Sequence, residues 1–69
     1  MKISARNQLS GRVVSVDEGG VMATVEIELD GGQQVAAVIT KESVRTLNLQ
    51  PGDQVLAVIK ATEVMVGKE

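Results

Sequence analysis

Two glycine-containing turns restrict the fold of this chain more than any other feature of its sequence. Gly19-Gly20 and Asp30-Gly31-Gly32 stand at either end of a segment in which Val25, Ile27 and Leu29 alternate with polar residues. Glycine adopts the positive φ angles of tight hairpin turns, and apolar residues at every second position are typical of a strand with one face in water. The pattern predicts a β-hairpin on each side of a central amphipathic strand.

Four further segments are also typical of strands. Residues 8–16 are rich in valine, and the lone Gly11 within them predicts a β-bulge or a barrel corner. Residues 35–39 are apolar on both faces, and so are residues 54–59 apart from Gln54. We predict that residues 35–39 form an inner strand and that a second subunit covers residues 54–59. Residues 62–66 complete the pattern as a last strand.

A short helix is predicted between the third and fourth strands. Thr40 has the side chain of an N-cap, and Val44 and Leu47 lie three positions apart on one side of a helix. Asn48 tolerates the left-handed conformation that closes many helices. The sequence thus predicts an all-β fold with one short helix, arranged as a five-stranded OB-like barrel, with residues 1–69 as a single domain.

The size of the chain makes assembly part of the prediction. At 69 residues it lies near the lower limit for a stable apolar core, and it contains neither Cys nor His. Disulfides and a structural zinc site are therefore excluded as sources of extra stability. Oligomerisation remains, and we predict an oligomeric protein.

Composition also argues against several functions. The chain has no aromatic residue and a net charge of −2, whereas single-strand nucleic-acid binding uses stacking aromatics and a basic groove. No apolar run is long enough for a membrane span, and the first residues lack the apolar segment of a signal peptide. An enzyme without His or Cys lacks the usual acid, base and nucleophile. We expect a cytoplasmic protein with no nucleic-acid or membrane partner and no enzymatic activity.

Two polar clusters at opposite ends of the chain point to anion binding instead. Ser4-Ala5-Arg6-Asn7 and Lys60-Ala61-Thr62 hold two cations and several hydroxyl or amide donors. Ser43, at the start of the predicted helix, adds another hydroxyl. Each also has a plainer structural explanation when taken singly. Residues 4–7 could be a solvated N-terminus, and Lys60 could extend its side chain over the barrel. Ser43 could form hydrogen bonds with backbone groups at the start of the helix. The joint pattern favours an oxyanion site containing Arg6 and Lys60.

Four ordered segments also carry a resemblance to a known family. The chain resembles the molbindins, small molybdate-binding proteins related to the transport-associated OB domains, over nearly its whole length. It begins at Met1 and ends soon after the last predicted strand, so it is similar to their stand-alone form. The matching segments are Ser4-Ala5-Arg6-Asn7-Gln8-Leu9 with Gly11, Ile39-Thr40-Lys41-Glu42-Ser43-Val44, Leu47-Asn48-Leu49 with Pro51-Gly52-Asp53, and Val58-Ile59-Lys60-Ala61-Thr62.

The resemblance implies a function and an assembly. It implies a hexamer, a trimer of dimers, that holds molybdate or tungstate at subunit interfaces for intracellular storage or homeostasis, without chemistry on the anion and without an organic cofactor. An oxyanion-sensing or assembly module that acts on a protein partner is the alternative. Asn48 departs from the glycine common in the family, a mild change. The oxyanion-binding residues implied by position are Ser4, Ala5, Arg6, Ser43, Lys60 and Ala61.

Overall fold

A computed structural model describes all residues, 1–69. The fold is mostly β with one short helix, as the sequence predicts. The single α-helix is too short to cross a membrane. The elements in chain order are β1 (Asn7–Glu18), β2 (Met22–Leu29), β3 (Gln34–Thr40), α1 (Lys41–Leu47), β4 (Gln54–Ile59) and a 3₁₀ turn (Ala61–Glu63).

Both predicted hairpins are present. The backbone N–H of Gly19 donates to the carbonyl of Met22 at 2.9 Å where β1 turns into β2. Between β2 and β3, Gly32 has a φ of 93°, a value that L side chains rarely adopt. These turns make β1, β2 and β3 a continuous antiparallel meander.

The long strand β1 is shared by both halves of the sheet, whose order is β3-β2-β1-β4. Gly11 pairs with Leu29 of β2 on one side and with Val55 of β4 on the other. The register of β1 against β2 shifts between Val13 and Ser15. The predicted irregularity in β1 is therefore real, but the bulge lies beyond Gly11, while Gly11 allows β1 to approach β2 closely.

The core lies on the concave face of the sheet and under the helix. Ala23, Val25 and Ile27 alternate along β2 and are all buried, which confirms the predicted amphipathic strand. Only small and branched side chains meet there, because the chain has no aromatic residue. The buried apolar cluster consists of Val13, Ala23, Val25, Ile27, Val44 and Ala57.

Helix α1 begins and ends as its sequence predicts. The side chain of Thr40 accepts a hydrogen bond from the backbone N–H of Ser43, and Asn48 closes the helix at φ 51°. Val44 is buried in the core, whereas Leu47 is 64% exposed. One of the two apolar helix residues thus packs inward, and the other remains at the surface of the single chain.

Two strand predictions differ from the structure. Residues 62–66 do not form a fifth strand: a 3₁₀ turn covers Ala61–Glu63, and the residues after it have no regular structure. Val64, Met65 and Val66 are 51%, 91% and 94% exposed, because they pair with neither edge strand of the sheet. Strand β3 is an edge strand rather than an inner one, since only β2 pairs with it.

An apolar groove of about 440 Å³ opens between the two edge strands. Residues from β3 and from β4 line the same groove although these strands are at opposite edges of the sheet, so the sheet is curled. Every lining residue is apolar. We call this feature the apolar groove; it lies where a closed barrel would have its fifth strand. Its lining consists of Val13, Ile27, Val35, Ala36, Ala37, Val38, Ile39, Leu47, Leu49, Val55, Leu56, Ala57, Val58 and Ile59.

Candidate functional site

Strand pairing brings the two polar clusters together. The antiparallel ladder of β1 and β4 ends at the pair of Asn7 with Ile59. Arg6 immediately precedes this pair and Lys60 immediately follows it. The two cations, from opposite ends of the sequence, therefore lie at neighbouring strand ends.

These strand ends form a cleft of about 510 Å³, which we call the cationic cleft. Five of the six oxyanion-binding residues expected from the sequence line it, and it contains no carboxylate. Its polar side chains are two hydroxyls, a guanidinium and an ammonium, all of which donate hydrogen bonds. Its lining consists of Ile3, Ser4, Ala5, Arg6, Val58, Lys60, Ala61 and Thr62.

Arg6 differs from the other two arginines in its partners. Arg12 lies 2.9 Å from a carboxylate oxygen of Glu28, and Arg45 lies 3.7 Å from one of Glu18. Arg6 has no ion pair, and Lys60 of the same cleft has none either. The positive charge of the cationic cleft is therefore not neutralised within the chain and remains available to an anion.

Two side-chain amides hold the first cluster in place. Nδ2 of Asn7 donates to the carbonyl oxygen of Ile59 at 3.3 Å, and Nε2 of Gln8 donates to that of Ala5 at 3.0 Å. The first bond joins β1 to β4, and the second joins Ala5 to the start of β1. No role for Gln8 was predicted from the sequence; the signal for this bond was that Gln8 lies three residues after Ala5.

Ser43 lies elsewhere on the chain. Its Oγ accepts a hydrogen bond from Oγ1 of Thr40 at 2.8 Å, at the start of α1, and it does not line the cationic cleft. One chain thus assembles the residues of the two terminal clusters but not the sixth expected residue.

Thr62 also lines the cleft, although it is not one of the six binding residues expected from the sequence. It belongs to the 3₁₀ turn that replaces the start of the predicted last strand. A strand at this position would alternate its side chains between two faces, whereas a tight turn gathers consecutive residues. Its place in the Lys60-Ala61-Thr62 cluster was the signal in the sequence.

The chemistry of the cleft suits an anion rather than a cation. No group of His, Cys, Asp and Glu side chains in the chain is arranged to hold a metal ion. Arg6 and Lys60 are exposed in the single chain, so water screens their charges there. Covering this cleft would exclude water and strengthen both interactions with an anion.

Comparisons with known proteins identify relatives along the whole chain. The TOBE domain matches residues 3–66. The chain is 51% identical, over all 69 residues and the full length of both proteins, to a probable molybdenum-pterin-binding protein of Haemophilus influenzae.

Two solved structures resemble the fold closely. A molybdate-binding protein from Sporomusa ovata has a TM-score of 0.93 and 46% identity, covering 99% of this chain and 100% of that one. The cytoplasmic molybdate-binding protein ModG, in a form with molybdate bound, has a TM-score of 0.84 and 54% identity, covering 88% of this chain and 43% of that one. The curled four-stranded sheet and these neighbours fit an OB-like fold.

Proposed function

Because the chain belongs to the TOBE domain family, as a small protein of the molbindin type, we propose that it binds molybdate, and also tungstate, in the cationic cleft. The single observation that carries this proposal is that the cleft is lined by hydrogen-bond donors and no carboxylate, with Arg6 and Lys60 free of ion pairs. The names of the relatives support molybdate as the anion.

The shape and charge of molybdate match this lining. Molybdate and tungstate are tetrahedral dianions whose oxygens only accept hydrogen bonds, so a suitable site offers donors and no carboxylate. Hydrogen phosphate carries a proton that needs a strong hydrogen-bond acceptor, and the cleft has no carboxylate to supply one. Arg6 supplies a planar fork of donors and Lys60 a mobile point charge, while Ser4 supplies a hydroxyl. We propose that backbone N–H groups of Ala5 and Ala61 complete the set.

The binding sites are proposed to lie between subunits. Ser43 is outside the cationic cleft of its own chain, and we propose that it reaches the cleft of a neighbour. The apolar groove and the side chains of Leu56 and Val58 on β4 expose apolar surface to water in the single chain. We propose that a second copy of the chain covers this surface. A hexamer built as a trimer of dimers would bury these surfaces and enclose the anion.

The biological role proposed is intracellular storage of the anion in the cytoplasm. The protein would hold molybdate without chemical change, since no His or Cys is available for catalysis. The same binding would also serve a sensing module, in which anion occupancy changes contact with a protein partner. The exposed apolar side chains of Val64, Met65 and Val66 are the observation that favours this second function.

Calorimetric titration of the full chain tests the proposal. Molybdate and tungstate are expected to release binding heat at low anion concentration. At the same concentrations phosphate is expected to release little because of its proton, and sulfate because it is a smaller dianion. Elemental analysis of protein purified from cells is expected to find molybdenum or tungsten. Equal binding of all four anions would overturn the selectivity, and no molybdate binding by the assembled protein would overturn the function. A mass of 7.3 kDa in solution would overturn the interface sites.

A further inference from the structure

The side chain of Asn7 occupies the point at which the two cations of the cleft are brought together. It is half-buried, and its Nδ2 donates to the carbonyl oxygen of Ile59, 52 positions away in the sequence. No other side-chain hydrogen bond joins the two terminal segments. This bond connects the residue next to Arg6 with the residue next to Lys60.

The strand ladder alone leaves the two cations weakly held. Asn7 and Ile59 form its last pair, so Arg6 and Lys60 lie just beyond the paired backbone. Neither cation has an ion pair or a side-chain hydrogen bond of its own. The ends of ladders open more readily than their centres. The separation of the two charges therefore depends on how firmly the last pair is closed.

Repulsion between the cations works against that closure. Two like charges on neighbouring strand ends destabilise the pairing when no anion lies between them. A hydrogen bond from Asn7 to Ile59 opposes this repulsion without adding a negative charge that would compete with the anion. A carboxylate at the same position would pair with the cations and weaken the site.

We propose that Asn7 is a positioning residue of the anion site, whose amide fixes the carbonyl of Ile59 and so holds Lys60 opposite Arg6 before the anion arrives. This proposal rests on the proposed function, because it concerns the affinity of the same cleft. Preorganised donors bind an anion more tightly, since less order has to be imposed on binding.

The test is a double-mutant cycle measured by calorimetric titration of the assembled protein with molybdate. Asn7→Ala removes the amide, and Asn7→Leu removes it while keeping the branching and the number of side-chain heavy atoms. Each is expected to weaken binding about fivefold, which corresponds to the loss of one neutral hydrogen bond. In a Lys60→Gln background the same changes are expected to weaken binding by less than about twofold, because their effect acts through Lys60.

Gln54→Ala is the matched control. Gln54 lies at the other end of the same ladder, opposite Arg12, and its amide makes no hydrogen bond. This variant is expected to bind molybdate like the original chain. Amide hydrogen exchange of Ile59, which belongs to the last pair of the ladder, is expected to be faster in both Asn7 variants of the anion-free protein and unchanged in Gln54→Ala.

The outcomes separate this proposal from the proposed function. If the original chain binds no molybdate, the function fails. If it binds molybdate and both Asn7 variants bind equally well, or lose the same factor with and without Lys60, the positioning role is wrong. Unchanged amide exchange at Ile59 would also overturn it.

Discussion

Gly11 lies so close to β2 that a Cβ atom on it would come within 2.6 Å of the carbonyl oxygen of Glu28. The same atom would lie 2.8 Å from Cγ2 of Ile27, a core residue. Both distances are shorter than real contacts of a Cβ atom, and the carbonyl belongs to a paired strand that has little freedom to move. The close approach of β1 to β2 at this position therefore requires glycine.

Replacing Gly11 with alanine is expected to destabilise the fold. The added methyl group must push β1 away from Glu28, and overpacking of this kind costs about 1–3 kcal/mol of unfolding free energy. Urea denaturation followed by far-UV circular dichroism measures the change. Gly20→Ala is the control, because its Cβ would meet no atom within 4 Å, and its effect is expected to stay within about 0.5 kcal/mol. Equal midpoints for the two variants would contradict the steric argument.

Removing either cation of the cationic cleft is expected to weaken molybdate binding. Arg6→Ala and Lys60→Ala each delete a charged donor that lines the cleft. A hydrogen bond to a charged group contributes about 1.5–3 kcal/mol, so a loss of roughly tenfold or more in affinity is expected for each variant. Calorimetric titration with sodium molybdate measures it.

Arg45→Ala is the matched control for charge. Arg45 is an arginine on α1 whose nearest carboxylate belongs to Glu18, and it does not line the cleft. Its removal changes the net charge by the same amount as Arg6→Ala and is expected to leave the molybdate affinity nearly unchanged. Similar losses from Arg6→Ala and Arg45→Ala would indicate a general field effect rather than a local site.

A charge on the exposed face of β4 is expected to disrupt assembly. Leu56 is exposed in the single chain and contributes to the apolar groove, so we expect it to be buried between subunits. Leu56→Lys would bury an unpaired charge there and is expected to lower the mass measured by light scattering. Molybdate binding is expected to weaken in parallel, because the sites are proposed to lie between subunits.

Ser15→Lys tests whether any new surface lysine has this effect. Ser15 is exposed on β1 near the bulge and lies outside the apolar groove. This variant is expected to keep the mass and the affinity of the original chain. An unchanged mass for Leu56→Lys would refute the expected role of β4 in assembly.

Local features of this fold were predictable from the sequence because their causes are local. The cap at Thr40, the left-handed Asn48 and the glycine turns each depend on residues within a few positions. The alternation of apolar and polar residues along β2 depends only on which face of the strand is in contact with water. These signals were sufficient for the hairpins, the helix and the amphipathic strand.

Features that depend on distant partners were less predictable. A strand at residues 62–66 would have to pair with an edge strand, and these residues pair with neither β3 nor β4. The place of β3 at the sheet edge depends on sheet order, and the bulge position depends on how β1 meets β2. The cationic cleft was predicted in part. Pairing of β1 with β4 brings the two terminal clusters together as expected, but Ser43 lies outside the cleft of its own chain.

Removing the cap of α1 is expected to destabilise the helix and its buried residue. Oγ1 of Thr40 accepts the backbone N–H of Ser43 at 3.0 Å, and Val44 beside it belongs to the core. Thr40→Ala leaves that N–H without a partner and is expected to cost about 1 kcal/mol of unfolding free energy. Thr40→Ser keeps the hydroxyl and is expected to stay within about 0.5 kcal/mol of the original chain. Thermal unfolding of both variants measures the difference, and equal melting temperatures would show that the cap contributes nothing to stability.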